Sequence, residues 1–196
     1  MITVRALLCV GLVSAALGQV PAPARVIMET GLGEIEIEID AAHAPLTAAN
    51  FLQYVDRTLY DGGRFHRTVR PDNQRDKPVK ISVIQGAGST ARRADFLPPI
   101  ALERTNATGL RHTDGMVSMA RAGIDTATHE FFICIGDQPE LDFGGTRNPD
   151  GQGFAAFGRV VRGMDVVRRI HAAPATGETL TPPITITRVR RSAGPI

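Results

Sequence analysis

The sequence contains no tryptophan, two tyrosines and only 5 % aromatic residues. A core of stacked large rings is thereby excluded, and burial falls mainly to Val, Ile, Leu and Ala. Cysteine is equally scarce, at two residues. Cys9 lies in an apolar N-terminal stretch, so a chain cleaved behind that stretch keeps Cys134 alone and has no internal disulfide. Lysine occurs only at Lys77 and Lys80 among 22 basic residues, and 20 acidic residues bring the formal net charge to +2. Nothing in that balance calls for a nucleic-acid or acidic-membrane partner. There is no Gly-x-Ser-x-Gly, no Walker loop and no His-Glu-x-x-His, and the five histidines are scattered. Nucleophile-elbow hydrolysis, phosphate-loop chemistry and zinc proteolysis therefore find no support. No run approaches the roughly 20 apolar residues of a comfortable membrane span. Repeats and interdomain linkers are missing too, and 196 residues suit a single domain.

What is present divides simply. Arg5, the apolar residues 6–16 and the small residues Ala16 and Gly18 form a secretory signal pattern. We expect residues 1–18 to be a signal peptide cleaved after Gly18, residues 19–24 a short leader, and residues 25–191 the folded domain. The destination would be periplasmic or secreted, with no stable membrane insertion after cleavage. Residues 25–29 and 34–39 flank Gly31-Leu32-Gly33 as a hairpin, and strict Glu/Ile alternation over 34–39 turns the isoleucines inward. Pro45 opens a helix whose Ala48, Phe51, Leu52 and Val55 share one face. Strands are expected at 64–69, 79–85, 116–120, 131–135, 156–161 and 184–189, a short one at 100–103, and a second helix around Val166, Val167 and Ile170. Residues 71–78 and 143–153 read as long surface loops. Asn148 and Asp150 in the second fall short of a calcium-loop ligand count, so no metal and no cofactor are expected. Asn106-Ala107-Thr108 is a glycosylation sequon of little weight.

The stretch 115–134 organises the rest: two short apolar runs joined by a polar loop. Phe131 and Phe132 are adjacent in the second run, so their rings point to opposite faces. With Phe65-His66-Arg67, Ile84-Gln85-Gly86, Phe157-Gly158-Arg159-Val160 and Gly163-Met164, these motifs stand in the order, and roughly the spacing, of the cyclophilin family of peptidyl-prolyl cis-trans isomerases. The chain resembles that family over about residues 25–190.

The resemblance implies a mainly β fold, a closed eight-stranded antiparallel barrel capped by two helices. It implies an enzyme that acts on X-Pro bonds of proline-containing polypeptides, as a monomer. Arg67 would be the catalytic donor, steadied by Gln85. Phe132 would floor a proline pocket walled by Leu141 and Val83, with Phe154 and Glu130 beside it. Residues Ala120, Arg121 and Ala122 would pair with the substrate backbone. Cys134 would be a buried, inert thiol. Several positions depart from the family pattern. Val83 replaces a methionine, Ser82 a pocket aromatic, Glu140 a Trp or Phe, Phe154 a His or Tyr, and Glu130 a glutamine. A carboxylate at Glu130 facing the groove would attract the Arg67 guanidinium and compete with the prolyl nitrogen for it. Two other readings fit parts of the sequence. A proline-segment binding or chaperone-like module with little turnover fits the altered pocket. A lipocalin-like barrel fits the strand count but explains neither Phe-His-Arg nor Phe-Phe-Ile-Cys.

Overall fold

The computed structural model describes residues 23–192. The expected signal peptide, and the expected leader up to residue 22, lie outside the described residues. Nine strands form one sheet: β1 Ala24–Thr30, β2 Gly33–Ile39, β3 Gly63–Val69, β4 Val83–Ala87, β5 Met116–Met119, β6 Phe131–Cys134, β7 Ala155–Arg162, β8 Ala175–Thr176 and β9 Thr179–Arg191. The order is β1-β2-β7-β5-β6-β4-β3-β9, and β1 pairs again with β9. Among the described residues, eight antiparallel strands therefore close a barrel. The two-residue β8 is a flap hydrogen-bonded to the start of β9.

The expected alternation in β2 holds: Ile35, Ile37 and Ile39 have no exposed surface, while the glutamates between them are partly exposed. Each such side chain contributes roughly 1.5–3 kcal/mol of burial. They pack with Phe51, Tyr54, Phe65, Phe131 and Phe157 in the main core. The few aromatic rings are concentrated there, with Phe51 and Phe157 centroids 5.0 Å apart and Phe51 edge-on to Phe131 at 5.8 Å. Helices α1 (Pro45–Asp56) and α3 (Met164–Ala172) cover the barrel, and one-turn α2 spans Thr105–Thr108. Nothing in the first turn of α1 caps it. Instead Glu103, far along the chain, accepts from the Leu46 and Thr47 amides at 3.1 and 2.7 Å, which satisfies the two N–H groups that follow Pro45, itself without a donor.

Three expectations need correction. Residues 79–82 are not strand, because side chains take the backbone groups a ladder would use. Gln74 bonds Ile81 O and N, Gln138 accepts from the Ser82 amide, and Arg147 donates to Val79 O. Residues 100–103 contribute only one bridge, Ile100 to Ala127. The last strand is longer than 184–189, and its alternation slips at Thr187–Arg188, opposite a bulge between Glu29 and Thr30 of β1.

Candidate active site

The site is built outward from one cross-strand row. Arg67 on β3 pairs with Gln85 on β4, Gln85 with Phe132 on β6, and Phe132 with Ser118 on β5. Paired residues share a face. By period two, Arg67 should share the inward face of Phe65, which has no exposed surface. It does not, because the register shifts between Phe65 and Arg67 on both sides of β3. His66 is the extra residue of this bulge, which turns Arg67 onto the outer face beside Gln85.

On that face Val83, Phe132, Cys134 and Leu141 form a second apolar cluster with Val69 and Ile81, and Met116, Ala120 and Phe154 pack against it. Phe131 belongs to the main core instead, as strand alternation requires. The Phe132 ring is only 4 % exposed. Phe154 stands edge-on to it at 5.3 Å, and His112 stacks behind it at 5.8 Å. His112 is buried, with Nδ1 2.8 Å from Asp142 Oδ1 and Nε2 3.0 Å from Ser118 Oγ. With the ring donating through Nδ1–H, Nε2 accepts from the serine hydroxyl. The order Asp-His-Ser is that of a nucleophile triad, but Ser118 has no exposed surface. The chain of three braces the back of Phe132 instead. Burial pushes the Asp142 carboxyl up, but the hydrogen bonds from His112 and Arg111 outweigh it and hold it below its ordinary range. Burial drives the Cys134 thiol far up, so it stays protonated and unreactive.

The polar half is a relay of four side chains. Arg67 Nη1 donates to Gln85 Oε1 at 2.8 Å, and Gln85 Nε2 donates to Glu130 Oε2 at 2.6 Å. On its other edge Arg67 gives both Nε and Nη2 to Glu178 Oε2, at 2.9 and 2.6 Å. The expected contest between Glu130 and the prolyl nitrogen for Arg67 is corrected here. Glu130 holds Gln85, and the carboxylate on Arg67 is that of Glu178. Sequence reasoning missed Glu178, which lies 111 positions from Arg67 and stands in a turn with no motif.

Glu140 and Arg121 also acquire partners. The Glu140 carboxylate accepts from the Thr146 amide and hydroxyl at 2.8 and 2.7 Å, which lowers its pKa. Arg121 donates to Gly153 O and to both Asp150 oxygens, and its guanidinium lies 5.2 Å from the Phe154 ring centroid. Its side chain is 1 % exposed. The side chain of Arg121 therefore anchors loop 143–153, and only its backbone remains for a substrate strip. The Ala120 and Ala122 amides are bonded internally, to Glu130 O and Thr126 Oγ1. Beside Glu130 opens a cavity of about 450 Å³, lined by Arg64, His66, Arg93 and His129 among others. Burial lowers the pKa of both histidines, against a smaller upward pull from Glu130, so they are neutral at pH 7. Among the described residues no group of three or more His, Cys, Asp or Glu could hold a metal ion.

Residues 25–191 match the family model described as cyclophilin type peptidyl-prolyl cis-trans isomerase/CLD. A peptidyl-prolyl cis-trans isomerase of Acinetobacter baylyi is 35 % identical over 150 residues, 76 % of this chain and 72 % of the relative. Peptidyl-prolyl cis-trans isomerase B of Escherichia coli is 34 % identical over 157 residues, 79 % of this chain and 87 % of the relative. A crystal structure of a Cryptosporidium parvum cyclophilin type isomerase superposes with a TM-score of 0.69 at 19 % identity, over 88 % of this chain and 99 % of that one. A second structure of that protein, in the presence of the dipeptide Ala-Pro, superposes equally well, over 87 % and 99 %.

Proposed function

The chain belongs to the cyclophilin-type peptidyl-prolyl cis-trans isomerases, and from that premise we propose that Arg67 is the group through which it accelerates X-Pro isomerisation. Resonance makes the amide planar and sets a barrier of roughly 18–20 kcal/mol. At the twisted midpoint that resonance is lost, and the prolyl nitrogen regains a lone pair. A donor fixed opposite this nitrogen binds the midpoint better than either planar isomer. Arginine carries five N–H donors. Three are engaged by Gln85 and Glu178, which leaves two on the terminal nitrogens. One of these meets the prolyl nitrogen while the ring rests on the apolar cluster around Phe132, Leu141, Val83 and Phe154. Gln85 steadies the arginine. No nucleophile, metal or cofactor enters this mechanism.

The observation that carries the reading is the bulge at His66, which brings Arg67 beside Gln85 in the row that ends at Phe132. The substrates are proline-containing polypeptides, and the pattern of residues 1–18 favours exported ones, met by a monomer in the periplasm or outside the cell. The test is exchange between cis and trans signals of a short X-Pro peptide, followed by NMR without a coupled protease. Removing one preorganised donor costs on the order of 10²–10³ in rate, so Arg67→Ala should slow exchange by about that factor. Equal exchange in both proteins would refute the assignment. A wild type no faster than the free peptide would favour a binding module.

A further inference from the structure

We propose that Glu178 is the positioning residue of Arg67, and that the turn carrying it is held in register by loop 71–78. This rests on Arg67 being the donor. An arginine restrained only through Nη1 by Gln85 can still swing its guanidinium plane about that bond. A second contact on the opposite edge removes this freedom, and Glu178 supplies it by accepting from Nε and Nη2 together. The contact exists before substrate arrives, so it acts by holding Arg67 in place for the midpoint and makes no contact of its own with substrate.

A carboxylate on a catalytic cation has two opposed effects: it fixes the plane, and it draws on the positive charge that makes the other N–H groups good donors. Here the first wins. Arg67 and Glu178 are 36 % and 25 % exposed, so water screens the charge term. The geometric constraint is not screened. The two N–H groups on the terminal nitrogens also remain uncommitted.

The support behind Glu178 is built. Gly177 and Glu178 are the two-residue link between Thr176 of β8 and Thr179 of β9. Gly177 has φ +59°, at the position where a type II′ hairpin turn takes glycine. The Thr68 amide, next to Arg67, donates to Glu178 O at 2.9 Å. Asn73, from loop 71–78, donates to Gly177 O at 3.0 Å and to Thr68 O at 3.0 Å, and accepts from the Arg70 amide at 2.8 Å. One asparagine thus ties the turn to the strand of Arg67, which gives loop 71–78 a role.

The experiment is NMR exchange on an Ala-Pro peptide, resolved into kcat and KM. Glu178→Ala should lower kcat about tenfold with KM changed less than about twofold, because a small misplacement of a catalytic group costs rate and not affinity. Glu178→Gln keeps an accepting oxygen and should return kcat to within about threefold of wild type. Asn73→Ala, which leaves the carboxylate in place, should lower kcat in the same direction and by less. In an Arg67→Ala background, Glu178→Ala should cause no further loss. Wild-type kcat in Glu178→Ala, with Arg67→Ala impaired, would overturn the proposal alone, as would a further loss in the Arg67→Ala background. Wild-type turnover in Arg67→Ala would overturn the reading of Arg67 itself, and this proposal with it.

Discussion

At the scale of single residues, the unusual feature is a guanidinium between two acids, one touching it and one acting through an amide. Glu178 bonds Arg67 directly, whereas Glu130 is separated from it by Gln85. Replacing Glu130 by glutamine leaves an oxygen that can still accept from Gln85 Nε2. The hydrogen bond weakens from charge-assisted to neutral, a change of about 1 kcal/mol, and Arg67 keeps its other partner. Glu130→Gln should therefore change kcat/KM by less than about threefold at pH 7, read by the same exchange measurement. A tenfold gain would mean that the Glu130 carboxylate does reach Arg67 during turnover. Arg67 as a candidate was legible in the sequence because Phe-His-Arg is a motif. Its partner was not, because a hydrogen bond across 111 positions leaves no local trace.

At the scale of elements, loop 143–153 resembles a plain polar insertion in sequence but is fastened at several points. Arg121 binds Gly153 O and Asp150, Glu140 binds Thr146, and Arg147 reaches Gln74 and Val79 O in the neighbouring loop. The Arg121 hydrogen bond holds the Asp150 pKa down to about 2. Arg121→Ala removes a buried fork and strips partners from Gly153 and Asp150, which should cost about 2–3 kcal/mol. It should also free Phe154 from the cation against its ring. The expected result is a lower urea midpoint, together with faster amide exchange confined to residues 143–154. Unchanged exchange there would show that Glu140 and Arg147 suffice to hold the loop. Strands were legible where apolar and polar side chains alternate along the chain, as in β2. They were misread at 79–82, where Gln74, Gln138 and Arg147 substitute for a ladder.

At the scale of the molecule, acid should weaken the fold in two stages. His66, His129 and His171 all have lowered pKa values, chiefly through burial. The unfolded chain therefore binds protons first as pH drops below about 6.5, and stability falls over that interval. Asp142, Glu38 and Asp56 have carboxyl pKa values lowered by hydrogen bonds from His112 or arginines. Their contribution is complete above about pH 5 and is lost as pH falls through the folded-state values. Glu38 and Asp56 pair with arginines at the surface and count for little, so the buried Asp142 dominates the second stage. Urea midpoints at about pH 8, 5.5 and 3 should fall across both intervals. Asp142→Asn should lower the midpoint at neutral pH and flatten the lower interval. A midpoint constant from about pH 8 to 5.5 would contradict the histidine contribution.

The sequence by itself determined what depends on neighbours along the chain. Glu/Ile alternation settled which side of β2 faces the core, the adjacency of Phe131 and Phe132 divided them between two cores, and five motifs in order identified the family. Alternation also predicts that Phe65 and Arg67 share a face, and this prediction fails. Only the tertiary structure decided that a bulge at His66 separates them, because a bulge arises from register with β4 and β9 and not from the residues of β3. It likewise decided that Glu178 meets Arg67, that Glu103 caps α1, and that Arg121 faces a loop. Each of these contacts joins groups distant in the chain, and closure of the barrel is what brings them within hydrogen-bonding range.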